Sequence, residues 1–256
     1  MRRRAPRVVA LAYLAAILLA PVLLVLWRTF EHGLAPVWRS LANGETAHAF
    51  EVTLLVTAIA VPVNAVFGVV VGLAIVRRRF PGKGLLNAFV DLPLALSPVV
   101  VGLALYLLYG RGGWFGGHGV LFAWPAMVLA TIFVSVPFVA REVIPTLREL
   151  GTEQEQAAAT LGANRLQRFW MITLPSIRWA IVYGVVLTTA RALGEYGTVA
   201  VVSGNIEGKT WTATVAVDQL VQTFNNAGGY AVSLVLATIA VLVLVAMTVI
   251  RPRESH

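Results

Sequence analysis

The sequence predicts an all-α membrane protein with six transmembrane helices, and three observations predict it. Charged residues make up 12% of the chain and hydrophobic ones 58%, whereas a soluble domain carries about 25% charged residues; the mean hydropathy is +0.80. Six stretches are long and apolar enough to cross a hydrocarbon core about 30 Å thick, which takes roughly 20 residues of helix. The basic residues collect in alternate connections between those stretches, as topology anchors do.

The first stretch runs from about Val8 to Trp27 and follows MRRRAPR. It is too long for a signal-peptide core and no small-residue cleavage site follows before Trp27, so an uncleaved span is expected. The others run from about Val52 to Val76, Leu86 to Tyr109, Val120 to Ala140, Trp179 to Ser203 and Tyr230 to Ile250. Pro62, Gly68, Pro93, Pro98, Pro137 and Gly184 fall inside them. A membrane helix tolerates such residues when its neighbours satisfy the freed backbone groups. The whole of 1–256 reads as one membrane domain.

With the N-terminus in the cytoplasm, fifteen basic residues lie inside. They are Arg2, Arg3, Arg4 and Arg7; Arg77, Arg78, Arg79 and Lys83; Arg141, Arg148, Arg165, Arg168 and Arg178; and Arg251 and Arg253. Four lie outside, Arg28, Arg39, Arg111 and Lys209, and Arg191 lies within a span. This bias sets both termini inside. It also accounts for the net charge of +8 without nucleic acid as a partner.

Cysteine is absent, which excludes disulfides, thiolate metal sites and cysteine nucleophiles. His32, His48, His118 and His256 are scattered outside any HExxH pattern, so no metal site is expected. The segment GNIEGKT resembles a phosphate-binding loop, but that motif needs a glycine five residues before Gly208. Ser203 holds that position. The segment also follows a span and faces outward, so nucleotide binding by this chain is rejected and no cofactor is expected in it.

The connection 141–178 is long, cytoplasmic and patterned. Val143, Leu147 and Leu150 recur at helical spacing, and Gly151 offers a stop. Thr152 with Glu155 three residues on forms a capping-box pattern. It would open a short helix from about Glu153 to Leu161 with Ala157, Ala158 and Leu161 on its apolar side and Glu153, Gln154 and Gln156 polar. Gly162 offers a second stop, before Ala163. Asn164 with Gln167 suggests another start, and Pro175 is expected to limit that third helix. On spacing alone, the short helix either lies on the protein's own cytoplasmic face or presents its alanines to another surface.

The run QAAATLGANRLQRFWMITLP, Gln156 to Pro175, resembles the EAA loop of bacterial ABC importer permeases, whose pattern is E-A-A, then G, then I-x-L-P. The matching positions are Gln156, Ala157, Ala158, Gly162, Ile172, Leu174 and Pro175. Gln156 stands where the motif has glutamate, with Glu153 and Glu155 nearby. The stretches Arg79 to Leu103 and Ala190 to Thr210 are similar to the sulfate and molybdate permease group. REVIP, LPSIRWAIVYGVVLTTARALGEYG and SGNIEGKT are most like CysW-type subunits of sulfate/thiosulfate permeases, with molybdate and tungstate permeases sharing the LGE core.

That resemblance implies a type I importer permease fold in a bacterial inner membrane, performing no covalent chemistry of its own. It also implies four kinds of partner: a second permease subunit, two cytoplasmic ATPase subunits that consume ATP, an extracytoplasmic substrate-binding protein, and lipid. The loop residues Glu153, Glu155, Gln156, Ala157, Ala158, Leu161, Gly162 and Ala163 would dock the ATPase as a coupling helix.

Arg191 is expected near the middle of the fifth span, with Glu195 four residues on and so on the same helical face. Ionisable residues at membrane depth are costly and are functional candidates by default. Two readings stand open: a structural ion pair, or, with Gly194, the lining of a gate or path. Asp91, beside Pro93, would face headgroups or cap an irregular turn. Gly110, Gly112, Gly113, Gly116, Gly117 and Gly119 surround Trp114 and Phe115 in an outer loop, read as an interfacial aromatic anchor. A secondary transporter or channel is the rival class. It would show inverted repeats or paired broken helices, and no repeat is visible. A membrane enzyme would need more deep polar residues than Arg191 and Glu195.

Overall fold

A computed structural model describes residues 5–31, 33–116 and 119–250. Arg2, Arg3, Arg4, Arg251, Arg253, His32, Gly117, His118, His256 and the side chain of Arg7 lie outside the described residues. The described chain is helical: α1 (Ala5–Phe30), α2 (Leu34–Leu41), α3 (Gly44–Arg77), α4 (Lys83–Ala95), α5 (Pro98–Tyr109), α6 (Trp124–Leu150), α7 (Glu153–Thr160), α8 (Arg165–Arg168), a π-helical turn (Phe169–Thr173), α9 (Leu174–Leu193), α10 (Gly197–Val202), α11 (Ala213–Gln222) and α12 (Asn226–Ile250). Five stretches are long and apolar enough to cross a membrane, and α4 with α5 makes a sixth when the bent pair is taken as one span.

Besides α3 opening at Gly44 where about Val52 was expected, and α12 at Asn226 where about Tyr230 was expected, four expected boundaries change for a local reason. The stretch from Leu86 to Tyr109 is broken, the chain bending by 110° between α4 and α5. Ser97 is extended (φ −64°, ψ 135°), because a residue before proline is driven from the helical region, and Pro98 then opens α5. The fourth span does not stop at Ala140. Its helix starts at Trp124 with a proline in its first turn and continues to Leu150, and Val143 and Leu147 are fully buried. They therefore belong to the membrane helix and not to the loop.

The fifth span does not reach Ser203 in one piece, since α9 stops at Leu193 and α10 begins at Gly197. Arg191 consequently sits in the last turn of α9, not mid-span. Finally, Pro175 does not end the third loop helix. It sits in the first turn of α9, and the preceding π turn absorbs its missing donor and its ring. Leu174 N–H bonds to Phe169 O, five residues back.

The centre of the bundle is α6, packed between α3 and α9. Val69, Val139, Val143, Leu147, Ile177 and Ala180 form one cluster; Val52, Val56, Met127, Val199, Val202 and Val215 belong to a second that draws in α10 and α11. Inside lipid, close approach counts for more than hydrophobic burial. A Cβ placed on Gly184 would lie 2.6 Å from the Val139 Cα, and one on Gly72 would lie 2.8 Å from Val143 Cγ1. Asn64, fully buried, crosses from α3 to donate to Ile132 O (3.1 Å) and Ser135 Oγ (2.8 Å) on α6. By contrast, among the described residues the most apolar window of α1 buries none of its side chains, although Thr29 near its end is buried; α1 packs against α12 and α2.

Candidate coupling helix and gate

The segment after α6 is built by glycine chemistry. Gly151 (φ +61°) and Gly162 (φ +89°) both adopt positive φ, which glycine reaches without a Cβ penalty. After α7, Ala163 N–H bonds to Ala158 O (3.0 Å) and Gly162 N–H to Ala159 O (3.1 Å). This 6→1 and 5→2 pair is the Schellman closure, which satisfies the last carbonyls of a helix. The expected box at Asn164 and Gln167 is complete, with 2.8 Å bonds in both directions. Thr152 makes no capping bond to the α7 backbone, so the expected Thr152–Glu155 box does not form. Thr152 Oγ1 instead accepts from Gln156 Nε2 at 2.9 Å.

Glu155 is turned to a larger task. Its Oε1 accepts from Arg77 Nη2 (3.0 Å) and from Thr173 Oγ1 (2.9 Å), while Arg77 Nη1 donates to Leu147 O (3.3 Å). One carboxylate thus ties the first turn of α7 to the end of α3 and to the π turn, and Arg77 carries the link on to the last turn of α6. Arg77 and Thr173 had no place among the sequence candidates, because nothing in local spacing pairs positions 78 residues apart. The rest of α7 faces outward. None of its residues is buried, Leu161 is 89% and Met171 75% exposed, and Leu166 and Trp170 are exposed with them. Glu153, Gln156 and Ala157 are exposed, while Ala158 and Ala163 are half-buried. A short exposed helix beside a cluster of bare apolar side chains is a protein-docking surface in form.

At the far end of α9, Gly194 closes the helix and Glu195 is only 3% exposed. Arg191 Nη1 lies 2.5 Å from Glu195 Oε2. Glu195 Oε1 accepts the Thr198 N–H (2.9 Å), which starts α10, and its carbonyl accepts Thr214 Oγ1 (2.7 Å) from α11. Thr198 Oγ1 in turn donates to Pro98 O (3.0 Å), a carbonyl at the break between α4 and α5. The two interrupted segments are therefore stitched together. Gly194 lines an apolar cavity of about 360 Å³ with Ala190, Leu193, Thr214, Val217 and Ser233, while Arg191 and Glu195 lie off it.

Asp91 pairs with Arg141 Nε at 2.9 Å, a contact between α4 and α6 that its expected place among headgroups did not foretell. In the loop after α10, Asn205 and Thr210 bond within the loop, with Ile206 N–H on Thr210 Oγ1 (3.0 Å) and Trp211 Nε1 on Asn205 O (3.1 Å). Tyr109 stacks on Phe115 at 5.5 Å, leaving Trp114 fully out in the glycine-rich loop. The GxxxG spacing of Gly68 and Gly72, a recognised signal for close helix contact, marks the face of α3 that meets α6.

Residues 64–256 match the profile of the family described as "Binding-protein-dependent transport system inner membrane component". The chain is 47% identical over 254 residues to the sulfate transport system permease protein CysW of Synechococcus elongatus, covering 97% of this chain and 89% of that protein. It is 36% identical over 250 residues to the sulfate transport system permease protein CysT of Salmonella typhimurium, covering 95% and 90%. Its fold resembles a chain of a bacterial alginate ABC transporter crystallised with its alginate pentasaccharide-bound periplasmic protein. There the TM-score is 0.76 at 16% identity, covering 95% of this chain and 91% of that one.

Proposed function

The chain belongs to the binding-protein-dependent transport system inner membrane components, and from that membership we propose that it is a sulfate-translocating permease subunit of an ATP-driven importer. The sulfate permeases it matches along nearly their whole length favour sulfate, with thiosulfate as its tetrahedral analogue, over molybdate or tungstate. The matched relatives are transport permeases, and this reading gives the chain no covalent chemistry. The break at Ser97 is a feature that a secondary transporter would also show, but family membership outweighs that single likeness.

The observation that carries the proposal is the exposed α7, closed by glycine turns at both ends and bonded through Glu155 to α3 and the π turn, with Arg77 extending the tie to α6. A helix free on its outer face and anchored on its inner one can pass a push from a partner into the spans. In this reading two ATPase subunits dock there and close when ATP binds. The motion then rocks the spans of two permease subunits between inward and outward access, and ATP hydrolysis resets them. Similarity to both CysW and CysT supports a related but distinct second permease. A periplasmic binding protein would hold substrate selectivity. The charge bias supports both termini in the cytoplasm of a bacterial inner membrane. Arg191 and Glu195 form the structural link that holds the break beside Gly194, and the cavity along Gly194 belongs to the moving path.

Reconstitution of the chain with its partner permease, ATPase and sulfate-binding protein in vesicles tests this. Radiolabelled sulfate should accumulate only with ATP and the binding protein. Equal uptake without ATP, or an intact chain that never retains an ATPase, would overturn it.

A further inference from the structure

Arg77, Arg78, Arg79, Arg165 and Arg168 line one cleft of about 470 Å³, in which Glu155 supplies the one carboxylate. Glu155 is already bonded to Arg77 and Thr173. No ion pair engages Arg78, Arg79, Arg165 or Arg168 among the described residues. The Nε–H groups of Arg77 and Arg168 are buried without an acceptor. A buried guanidinium donor left unmade is expensive, and repulsion among the four arginines without an ion pair adds to it, screened by water at the exposed Arg78, Arg79 and Arg165. Both penalties vanish if an anion with several acceptor oxygens enters. Guanidinium forks match the tetrahedral oxygens of phosphate and sulfate bidentately.

The position of the cleft narrows the source. Arg77 is the last residue of α3, and Arg165 the first of the membrane-length stretch Arg165–Leu193, so the cleft lies where two spans leave the hydrocarbon. Leu73 and Phe169 line it as well, an apolar wall suited to the start of an acyl chain. Basic pockets between membrane helices at this level hold anionic headgroups. We propose that this cleft binds a phosphate-class oxyanion, supplied by the headgroup of an anionic phospholipid, and that its occupancy competes with Glu155 for Arg77. Lipid would thereby set how tightly α7 is tied to the spans. Binding itself does not depend on the transport reading and is measured directly.

The experiment uses the full chain purified from membranes and placed in phosphatidylglycerol or phosphatidylcholine nanodiscs, with retained lipid measured by native mass spectrometry. Phosphatidylglycerol should stay with the wild type. Its retention should fall roughly tenfold or more in Arg78→Gln/Arg168→Gln, but not in Arg39→Gln/Arg111→Gln, which removes the same charge from other connections. If the double variant fails to fold, Arg168→Lys serves, and intermediate retention is expected because the charge remains without the fork. If inorganic phosphate or sulfate displaces the lipid and binds with the same arginine dependence, the oxyanion site stands and its source is the soluble ion. Equal lipid retention in wild type and variants, with no inorganic anion bound, overturns the proposal. So does loss of the lipid when the ATPase assembles, with a carboxylate of that partner crosslinking into the cleft.

Discussion

Arg77 and Glu155 form a 3.0 Å ion pair across 78 residues of sequence, with side chains only 16% and 21% exposed. A pair this sheltered, and extended by the bonds to Thr173 and Leu147, exceeds the small worth of a surface salt bridge. A double-mutant cycle of Arg77→Gln and Glu155→Gln should give a coupling of about 1–2 kcal/mol, read from thermal unfolding of the purified protein. Glu155→Gln should lower ATP-driven sulfate uptake several-fold while leaving membrane insertion unchanged. Additive effects of the two substitutions would show that α7 is not held by this pair.

Gly162 tests the docking helix from its other end. Its φ of +89° is closed to proline, which fixes φ near −65° and removes the N–H that bonds to Ala159 O. Gly162→Pro should insert normally and keep ATP hydrolysis in the assembled transporter, but lose sulfate uptake. Gly162→Asn should retain most uptake, since asparagine visits the left-handed region. Full uptake in the proline variant would refute the role given to α7.

The two close-approach glycines differ in what a methyl group would strike, and that difference predicts rescue. At Gly72 the obstacle is Val143 Cγ1, at Gly184 the Val139 Cα itself. Each alanine substitution should cost about 1–3 kcal/mol from overpacking. Val143→Ala should recover much of the loss in Gly72→Ala, whereas Val139→Ala should not rescue Gly184→Ala. Thermal melts of the four variants and two double variants decide the matter.

On the opposite side, Glu207 lies in the loop between α10 and α11. A hydrogen bond with Glu45, then repulsion from that carboxylate, then slight burial raise its pKa above the ordinary value of 4.5. The folded pKa exceeds the unfolded one, so the favourable contribution is complete below the unfolded pKa and is lost as pH rises through the folded value. Glu207→Gln should therefore raise the thermal midpoint slightly at neutral pH and not at pH 4, and high salt should shrink the gain. An equal shift at both pH values would exclude the shared-proton arrangement.

What was legible in the sequence was local. Gly151 and Gly162 announce helix ends because positive φ is a property of the residue itself, and Asn164 with Gln167 forms its box from neighbours alone. Glu155 looked like the same kind of cap, yet a cation and a hydroxyl from distant helices claim it. No spacing rule sees such partners. Hydropathy could count the spans but not find the break at Ser97 and Pro98, since averaging over twenty residues is blind to a turn of two. The four-residue interval between Arg191 and Glu195 foretold their contact. Gly194 moved that contact from mid-helix to a helix end, and sequence hydropathy carried no trace of the shift. Pro175 misled because the compensating π turn is a response of the backbone, with no residue signature of its own.

The stitched breaks have a mechanical consequence. At 1.5 Å per residue, α5 is about 18 Å long and α10 about 9 Å, so neither reaches from one leaflet surface to the other, whereas α3, at about 51 Å, overreaches both. A long rod must tilt or deform lipid when bilayer thickness changes; two short helices pinned to each other through Thr198 and Pro98 have less length to mismatch. Swapping host lipids for shorter or longer tails should therefore load α3 more than this short pair.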